Sequence, residues 1–255
     1  MIARFFKKTP TVRPIDIAQV PEGQRIYAIG DVHGRNDLLQ QLLQHIDEDN
    51  ERRGSAQTQI ILLGDLVDRG HDSCGVIETA MALKSKRPNS RFLMGNHEEV
   101  FIAACRKRDA KTLRFFLRIG GEATFLSYPI RRSEYLELDI EQLGDRLDSL
   151  IPEAHLTFLE GFEDQIIVGD YAFVHAGIRP GVPLSEQKSS DLRWIRDEFV
   201  AQKGDLEKVI IYGHTIYEDI DERGSRIGID TGAYESGKLT AIGLEGGERW
   251  YLQTS

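Results

Sequence analysis

Five short apolar runs in this 255-residue chain each end in a glycine-bearing loop that carries aspartate, asparagine or histidine. Arg25–Ile29 leads into Gly30-Asp31-Val32-His33-Gly34, and Gln59–Leu63 into Gly64-Asp65-Leu66-Val67-Asp68-Arg69-Gly70. Arg91–Met94 leads into Gly95-Asn96-His97-Glu98, Tyr171–Val174 into His175-Ala176-Gly177, and Val209–Tyr212 into Gly213-His214. Short apolar runs bounded by turn residues read as buried strands. Open α/β sheets gather their sites beyond the carboxyl ends of such strands, so these loops are expected to converge in space.

Between the strands, Leu38, Leu39, Leu42, Leu43 and Ile46 recur at helical spacing and Gly54 closes the stretch; Val76, Ile77, Ala80 and Met81 do likewise. The opening is therefore β-α-β-α-β. From about residue 98 to 160 strand character is lost, and Ile140, Leu143, Leu147, Leu150 and Ile151 repeat helically, which predicts a helical insertion. Strands return at Gln165–Val168, Tyr171–Val174, Val209–Tyr212, Arg226–Ile229, Leu239–Leu244 and Arg249–Leu252, many spaced closely enough for antiparallel pairing. Residues 1–24, with Pro10, Pro14, Pro21 and Gly23, read as a lead-in segment, and 25–255 as a single catalytic domain.

A hydrophobic fraction of 40% is enough for one large core. The net charge of −9 opposes general binding to nucleic acid or anionic membranes, so an anionic substrate must meet a locally positive site. Cys74 and Cys105 fall in helical patterns without metal-type spacing, and the apolar run within Met1–Lys8 is too short for a signal peptide or membrane span. The octet reads as a tail, and a cytoplasmic location is expected.

Asp31 and His33 stand two residues apart, so an extended backbone presents both side chains on one side, within reach of one cation. Carboxylate, amide and imidazole donors without thiolate suit manganese, iron(II), zinc or magnesium, and a carboxylate such as Asp65 can bridge two ions. A lone Asp-x-His is equally well a hydrogen-bonded turn; five such loops in series point to a metal centre.

These loops resemble the signature of the calcineurin-like metallophosphoesterases. Gly64–Gly70 and Gly95–Glu98 further resemble the PPP serine/threonine protein phosphatases, in their compact bacterial and bacteriophage lambda branch. The likeness runs from Ile26 to about Leu244 and takes in Trp194-Ile195-Arg196 and Ile229-Asp230-Thr231-Gly232. It implies an α/β fold of two mixed β-sheets packed as a sandwich and flanked by helices, four layers in the order αββα. It also implies that Asp31 and His33 hold a first metal, that Asp65 bridges, and that Asn96, His175 and His214 hold a second. Arg69 and Arg196 would grip phosphoryl oxygens, for which guanidinium forks are suited, although Arg193 lies close enough to compete for the second role. His97 would protonate the leaving group, oriented by Asp68.

The implied activity is hydrolysis of phosphoserine or phosphothreonine in proteins, with phosphotyrosine as a further substrate, by water activated between two divalent ions, manganese foremost. Phosphoproteins are then the expected partners. Met94 precedes Gly95 and a Ser-Ala-Pro-Asn-Tyr segment is absent, so no obligate regulatory subunit is expected. A symmetrical dinucleoside tetraphosphatase shares fold and ligands but usually carries Asp after Gly-Asn-His; Glu98, and the lack of Pro after Gly70, favour the protein phosphatase. An inactive metal-binding scaffold is opposed by six intact ligand positions. A zincin motif fails at Phe101, and no phosphate-binding G-x-x-x-x-G-K loop is present.

Three features stay open at this level. Asp230 either orients a ligating histidine or forms a turn. Arg35 either adds positive field near the phosphate or is solvated. The basic run Arg106, Lys107, Arg108, Lys111, Arg114 and Arg118 either steers a phosphopeptide or forms a solvated helix face.

Overall fold

The computed structural model describes residues 14–254, so the tail expected at Met1–Lys8 lies outside the described residues. In chain order the helices are α1 (Pro14–Ile17), α2 (Asn36–Arg52), α3 (Ser73–Lys86), α4 (Asn96–Lys107), α5 (Ala110–Phe116), α6 (Glu122–Ser127), α7 (Arg132–Glu137), α8 (Ile140–Leu150), α9 (Glu153–Glu160), α10 (Ser189–Trp194), α11 (Asp197–Val200) and α12 (Ala233–Ser236). The strands are β1 (Gln24–Ile29), β2 (Gln57–Leu62), β3 (Arg91–Phe92), β4 (Gln165–Val168), β5 (Tyr171–Val174), β6 (Val209–Tyr212), β7 (Asp221–Arg223), β8 (Arg226–Gly228), β9 (Thr240–Glu245) and β10 (Glu248–Gln253).

They form two five-stranded mixed sheets, ordered β10-β9-β1-β2-β3 and β4-β5-β6-β8-β7. The pairs joined by short connections, β4–β5, β7–β8 and β9–β10, are antiparallel. The central strands β1–β2–β3 and β5–β6–β8 are parallel, because the chain crosses over between them. Consequently the carboxyl ends of six strands face one edge of the sandwich.

Strand alternation explains how the layers hold together. Ile26 and Ala28 of β1, Ile61 of β2, Phe173 of β5 and Ile211 of β6 point between the sheets and form one buried cluster. Tyr27, Ile29, Ile60 and Leu62 point the other way, onto Leu39, Leu42 and Ile46 of α2 and Val76 of α3. On the far side, Ala172, Val174, Ile210 and Tyr212 meet Leu192, Ile195 and Phe199. Both faces of each sheet are thus covered, as the near-continuous apolar strands require. Ile15, Ala18 and Val20, upstream of β1, are buried in the inter-sheet cluster.

The insertion has its own core of Phe101, Leu113, Phe116, Phe125, Leu143, Leu147 and Leu159. Val67, from the loop after β2, belongs to that cluster, so the insertion packs beneath a site loop. None of the helices among the described residues is long and apolar enough to cross a membrane.

Arg25 at the start of β1 is fully buried. Its guanidinium donates to the Asn50, Arg53 and Gly54 carbonyls at the end of α2 and pairs with Glu245 of β9 at 2.8 Å. Carbonyls at a helix end need outside partners, and a cation there also complements the helix dipole. Arg25→Met is expected to lower stability by about 3 kcal/mol, since it leaves these acceptors without their donor. An unchanged midpoint in urea unfolding would contradict that role.

Candidate active site

The site forms where β1, β2, β3, β5, β6 and β8 end. Asp31 and His33 follow β1; Asp65, Asp68 and Arg69 follow β2; Asn96 and His97 open α4 just after β3. His175 follows β5, His214 follows β6 and Asp230 follows β8. All the predicted aspartates, histidines and the asparagine are buried. The loops turn tightly: His33, Asp65, Asp68, Arg69 and His214 adopt positive φ, with Arg108 the remaining non-glycine case among the described residues. Such conformations persist only when their surroundings enforce them, and they concentrate at functional sites. Gly213 is required by close approach, because a Cβ there would lie 2.0 Å from Asp31 Oδ1.

Two triads of possible metal donors share one carboxylate: His33, Asp65 and His97 on one side, and Asp65, His175 and His214 on the other. Within each, the donor atoms lie within 4.8 Å of one another. Asp65 Oδ2 is 3.5 Å from His33 Nε2, and Asp65 Oδ1 is 3.3 Å from His175 Nε2. Asn96 Oδ1 is 3.0 Å from the same His175 nitrogen. The imidazoles are aimed from behind: Nδ1 of His33 contacts the Val67 carbonyl at 2.8 Å, and Nδ1 of His175 the Leu63 carbonyl at 2.9 Å. Carbonyl partners of this kind fix tautomer and ring orientation in metal-binding histidines.

The donors fit divalent cations. Asp31 receives the His214 N–H on Oδ2 at 2.9 Å, while its buried Oδ1 has no protein partner. An orphaned carboxylate oxygen inside a protein is costly unless a cation or proton meets it. Burial, with the Asp230 and Asp65 carboxylates nearby, holds Asp31 well above the usual carboxylate range. Burial depresses His33 to about 3 and His214 to about 2, which keeps both rings neutral, the form that ligates a metal. Burial works against ionised Asp65, but His175 and His97 outweigh it and hold Asp65 well below its ordinary value. The set is oxygen and nitrogen only, suited to manganese, iron, zinc or magnesium.

Beside this centre, His97 Nδ1 bonds Asp68 Oδ2 at 2.6 Å, and His97 Nε2 lies 3.1 Å from Arg69 Nη2. Burial would lower the His97 pKa, yet the Asp65 and Asp68 carboxylates raise it. Arg196 donates from Nε to His214 Nε2 at 2.8 Å, so the structure brings it to the site. Arg193 turns away, to Asp164 and Glu99. Asp230 Oδ1 accepts the Gly232 N–H, the turn-forming option, and the orienting of histidines falls instead to backbone carbonyls. Arg35 is engaged by Asp37 and the Ala233 carbonyl. In the basic run, Arg106 pairs with Glu153 and Glu160 and Arg108 with Asp148, so those charges are neutralised locally.

Glu98, which in the sequence serves only to separate the two substrate classes, has a structural place of its own. It is fully buried and accepts the backbone N–H groups of Asp65, Leu66, Val67 and Gly95. Its carboxylate therefore shapes the loop that carries Asp65. Burial pushes its pKa up to about 7, while four N–H donors favour the ionised form. Two neighbours of the site escaped the sequence reading. Tyr234 packs edge-on to His33 at 5.5 Å, with the Arg69 guanidinium over its ring at 4.9 Å. Thr124, from the insertion, contacts Asp68 Oδ1 at 2.6 Å. A tyrosine five residues after a site-edge strand had a weak signal; Thr124 had none.

Among proteins of known activity, the chain is 28% identical over 230 residues to serine/threonine-protein phosphatase 2 of Escherichia coli K12, covering 85% of this chain and 91% of the relative. It is 26% identical to the asymmetrical bis(5'-nucleosyl)-tetraphosphatase PrpE of Bacillus mycoides, covering 84% and 88%. Against the symmetrical bis(5'-nucleosyl)-tetraphosphatase of Delftia acidovorans, identity is 36% over 72% of this chain and 51% of that protein. A crystal structure assigned provisionally to a diadenosine tetraphosphatase superposes with a TM-score of 0.62 at 20% identity, covering 93% of this chain and 99% of the other, a likeness of fold. The calcineurin-like phosphoesterase pattern matches residues 24–237 and so spans every strand end that builds the site. Joined to a buried Asp–His–Asn centre suited to divalent cations, that match means the chain belongs to the calcineurin-like phosphoesterases, metal-dependent hydrolases of phosphoesters.

Proposed function

We propose that the protein hydrolyses phosphate monoesters of serine and threonine in proteins, and that Asp31, His33, Asp65, Asn96, His175 and His214 hold two divalent ions. Such ions, when bound, would supply an activated water and neutralise charge on the phosphoryl group. Asp65, facing both triads, is the shared ligand. Asp31 completes the first site in preference to His97, because Asp31 Oδ1 is the carboxylate oxygen left without a partner, whereas both nitrogens of His97 face protein groups.

The observation that carries the substrate reading is the 2.6 Å His97–Asp68 pair set beside the shared carboxylate. Nδ1–H is held by Asp68, so Nε2 is the nitrogen that would carry a proton to a departing oxygen once Arg69, a donor-only group 3.1 Å from it, turns to the phosphoryl oxygens. A serine alkoxide is a poor leaving group and needs that proton; a nucleoside polyphosphate leaves readily without it. Arg69 and Arg196 flank the donors from opposite loops and would hold phosphoryl oxygens.

A second reading, dinucleoside tetraphosphate hydrolysis, is favoured by the relatives of that activity and by the internal position of Glu98. The residue that separates the two classes in sequence contacts backbone N–H groups of the Asp65 loop and Gly95. Manganese-loaded protein is expected to give a higher kcat/KM on phosphoserine and phosphothreonine peptides than on diadenosine tetraphosphate. The opposite order across the whole peptide panel would transfer the assignment to the dinucleotide.

A further inference from the structure

We propose that Thr124, carried by the helical insertion, is a positioning residue whose hydroxyl holds the Asp68 carboxylate in the orientation that pairs with His97, within a buried relay Ser73–Thr124–Asp68–His97. The inference rests on the general-acid role assigned to His97 above.

Thr124 is fully buried near the middle of α6. Its Oγ1 lies 2.6 Å from Asp68 Oδ1, 2.9 Å from the Asp68 amide nitrogen and 3.0 Å from Ser73 Oγ. A hydroxyl has one proton and two lone pairs. An ionised carboxylate can only accept, so the Thr124 proton goes to Asp68 Oδ1, and the lone pairs take the Asp68 N–H and the Ser73 hydroxyl. Every hydrogen-bonding position of Thr124 is then used. The other carboxylate oxygen of Asp68 takes the His97 Nδ1–H. Both oxygens are thereby assigned, and the carboxylate plane cannot turn without breaking a bond at each end. Buried chains of this kind strengthen one another, and each member loses more by displacement than it would in water.

The surroundings of Thr124 hold it there. A kink at Gly120, within Leu117–Gly121, breaks the register between α5 and α6 and delivers the Gly120 carbonyl to the Arg69 N–H at 3.2 Å. Gly120 adopts φ +117, and a side chain there would meet Arg69. Phe125, next to Thr124, is buried edge-on against Phe116. Ser127 accepts the Cys74 N–H at 3.0 Å and donates to the Thr124 carbonyl at 2.7 Å, which ties the same turn to the start of α3. Asp68 and Arg69, both at positive φ, are thus gripped by the insertion through a side chain and a carbonyl.

Thr124→Val keeps shape but removes the donor, and the Asp68 N–H still has Ser73 Oγ at 3.0 Å. With metal content and fold unchanged, kcat on a phosphoserine peptide is expected to fall about 10- to 100-fold with little change in KM, the range typical when an outer-shell partner is lost. An aryl phosphate, which leaves without a proton, is expected to lose less than about 3-fold. Thr124→Ser keeps the hydroxyl and is expected to recover most of the phosphoserine rate. In the metal-free protein, the His97 Nδ1 proton resonance is expected to broaden in the valine variant and persist in the serine variant. Equal losses on both substrates, a serine variant as impaired as the valine one, or an unaffected His97 resonance would overturn the proposal. Should the valine variant not fold, Thr124→Ala carries the same expectations. His97→Asn measured alongside separates the two levels: selective loss there without selective loss at Thr124 defeats the positioning role alone, and no selective loss at His97 defeats both.

Discussion

Asp65→Asn is expected to release both divalent ions on dialysis and to lower kcat/KM on an aryl phosphate by about 10³-fold, equivalent to about 4 kcal/mol. The substitution is nearly isosteric, and asparagine tolerates the left-handed conformation that Asp65 holds at φ 48. Its side-chain carbonyl can still accept the His97 N–H, which Asp65 Oδ1 receives at 3.0 Å. What disappears is the negative charge that faces His33 on one side and His175 on the other. Because the charge belongs to both triads, the two ions should leave together. His33→Asn and His214→Asn, each confined to one triad, should remove one ion and leave the other measurable. Elemental analysis that finds one ion retained by Asp65→Asn would contradict a shared carboxylate.

Much of this architecture is legible in the sequence because two local signals coincide. Apolar runs such as Ile26–Ile29 and Ile60–Leu63 are buried on both faces, so they stand out without alternation, and each ends in a polar loop whose residue types announce a site. The helical spacing of Leu38, Leu39, Leu42 and Ile46 mirrors their burial in α2 against the first sheet. β7 is hidden for the opposite reason. Asp-Glu-Arg at 221–223 forms a polar edge strand, stabilised by pairing with β8 and by the Glu222–Arg249 ion pair, neither of which a local pattern can signal.

What composition cannot convey is the direction in which a loop residue points. Glu98 reads as part of the Gly-Asn-His-Glu motif and as a mark of one substrate class, yet its carboxylate serves four backbone N–H groups. A carboxylate one methylene longer than aspartate reaches from the first turn of α4 across to residues 65–67, which is a statement about loop geometry. The use of Glu98 to favour one substrate class loses its direct contact, and the weight passes to the His97–Asp68 pair. Thr124 lies beyond the sequence for a similar reason: it stands 56 positions from Asp68, and the two meet through tertiary contacts such as the packing of the insertion on Val67 and Ile77.

His97→Asn is expected to leave metal stoichiometry intact while lowering kcat on a phosphoserine peptide by about 10³-fold and on an aryl phosphate by about 10-fold or less. The contrast follows from the leaving group. A serine oxygen departing as alkoxide is strongly basic, so the proton on His97 Nε2 is worth most there; a phenolate departs with little help. Asp68→Asn should show the same ordering with smaller losses, since His97 remains but its Nδ1–H loses an anionic partner at 2.6 Å. Asparagine can occupy the φ of 74 that Asp68 adopts, so the loop should persist. Asp68 also helps raise the His97 pKa, after Asp65. Weakening that pair should lower the pKa and shift the alkaline limb of the phosphoserine rate profile to lower pH, because a group that must be protonated to act then loses its proton sooner. A mutant with equal losses on alkyl and aryl substrates would place His97 among the metal ligands of the first triad instead, and its ion content would then fall to one per chain.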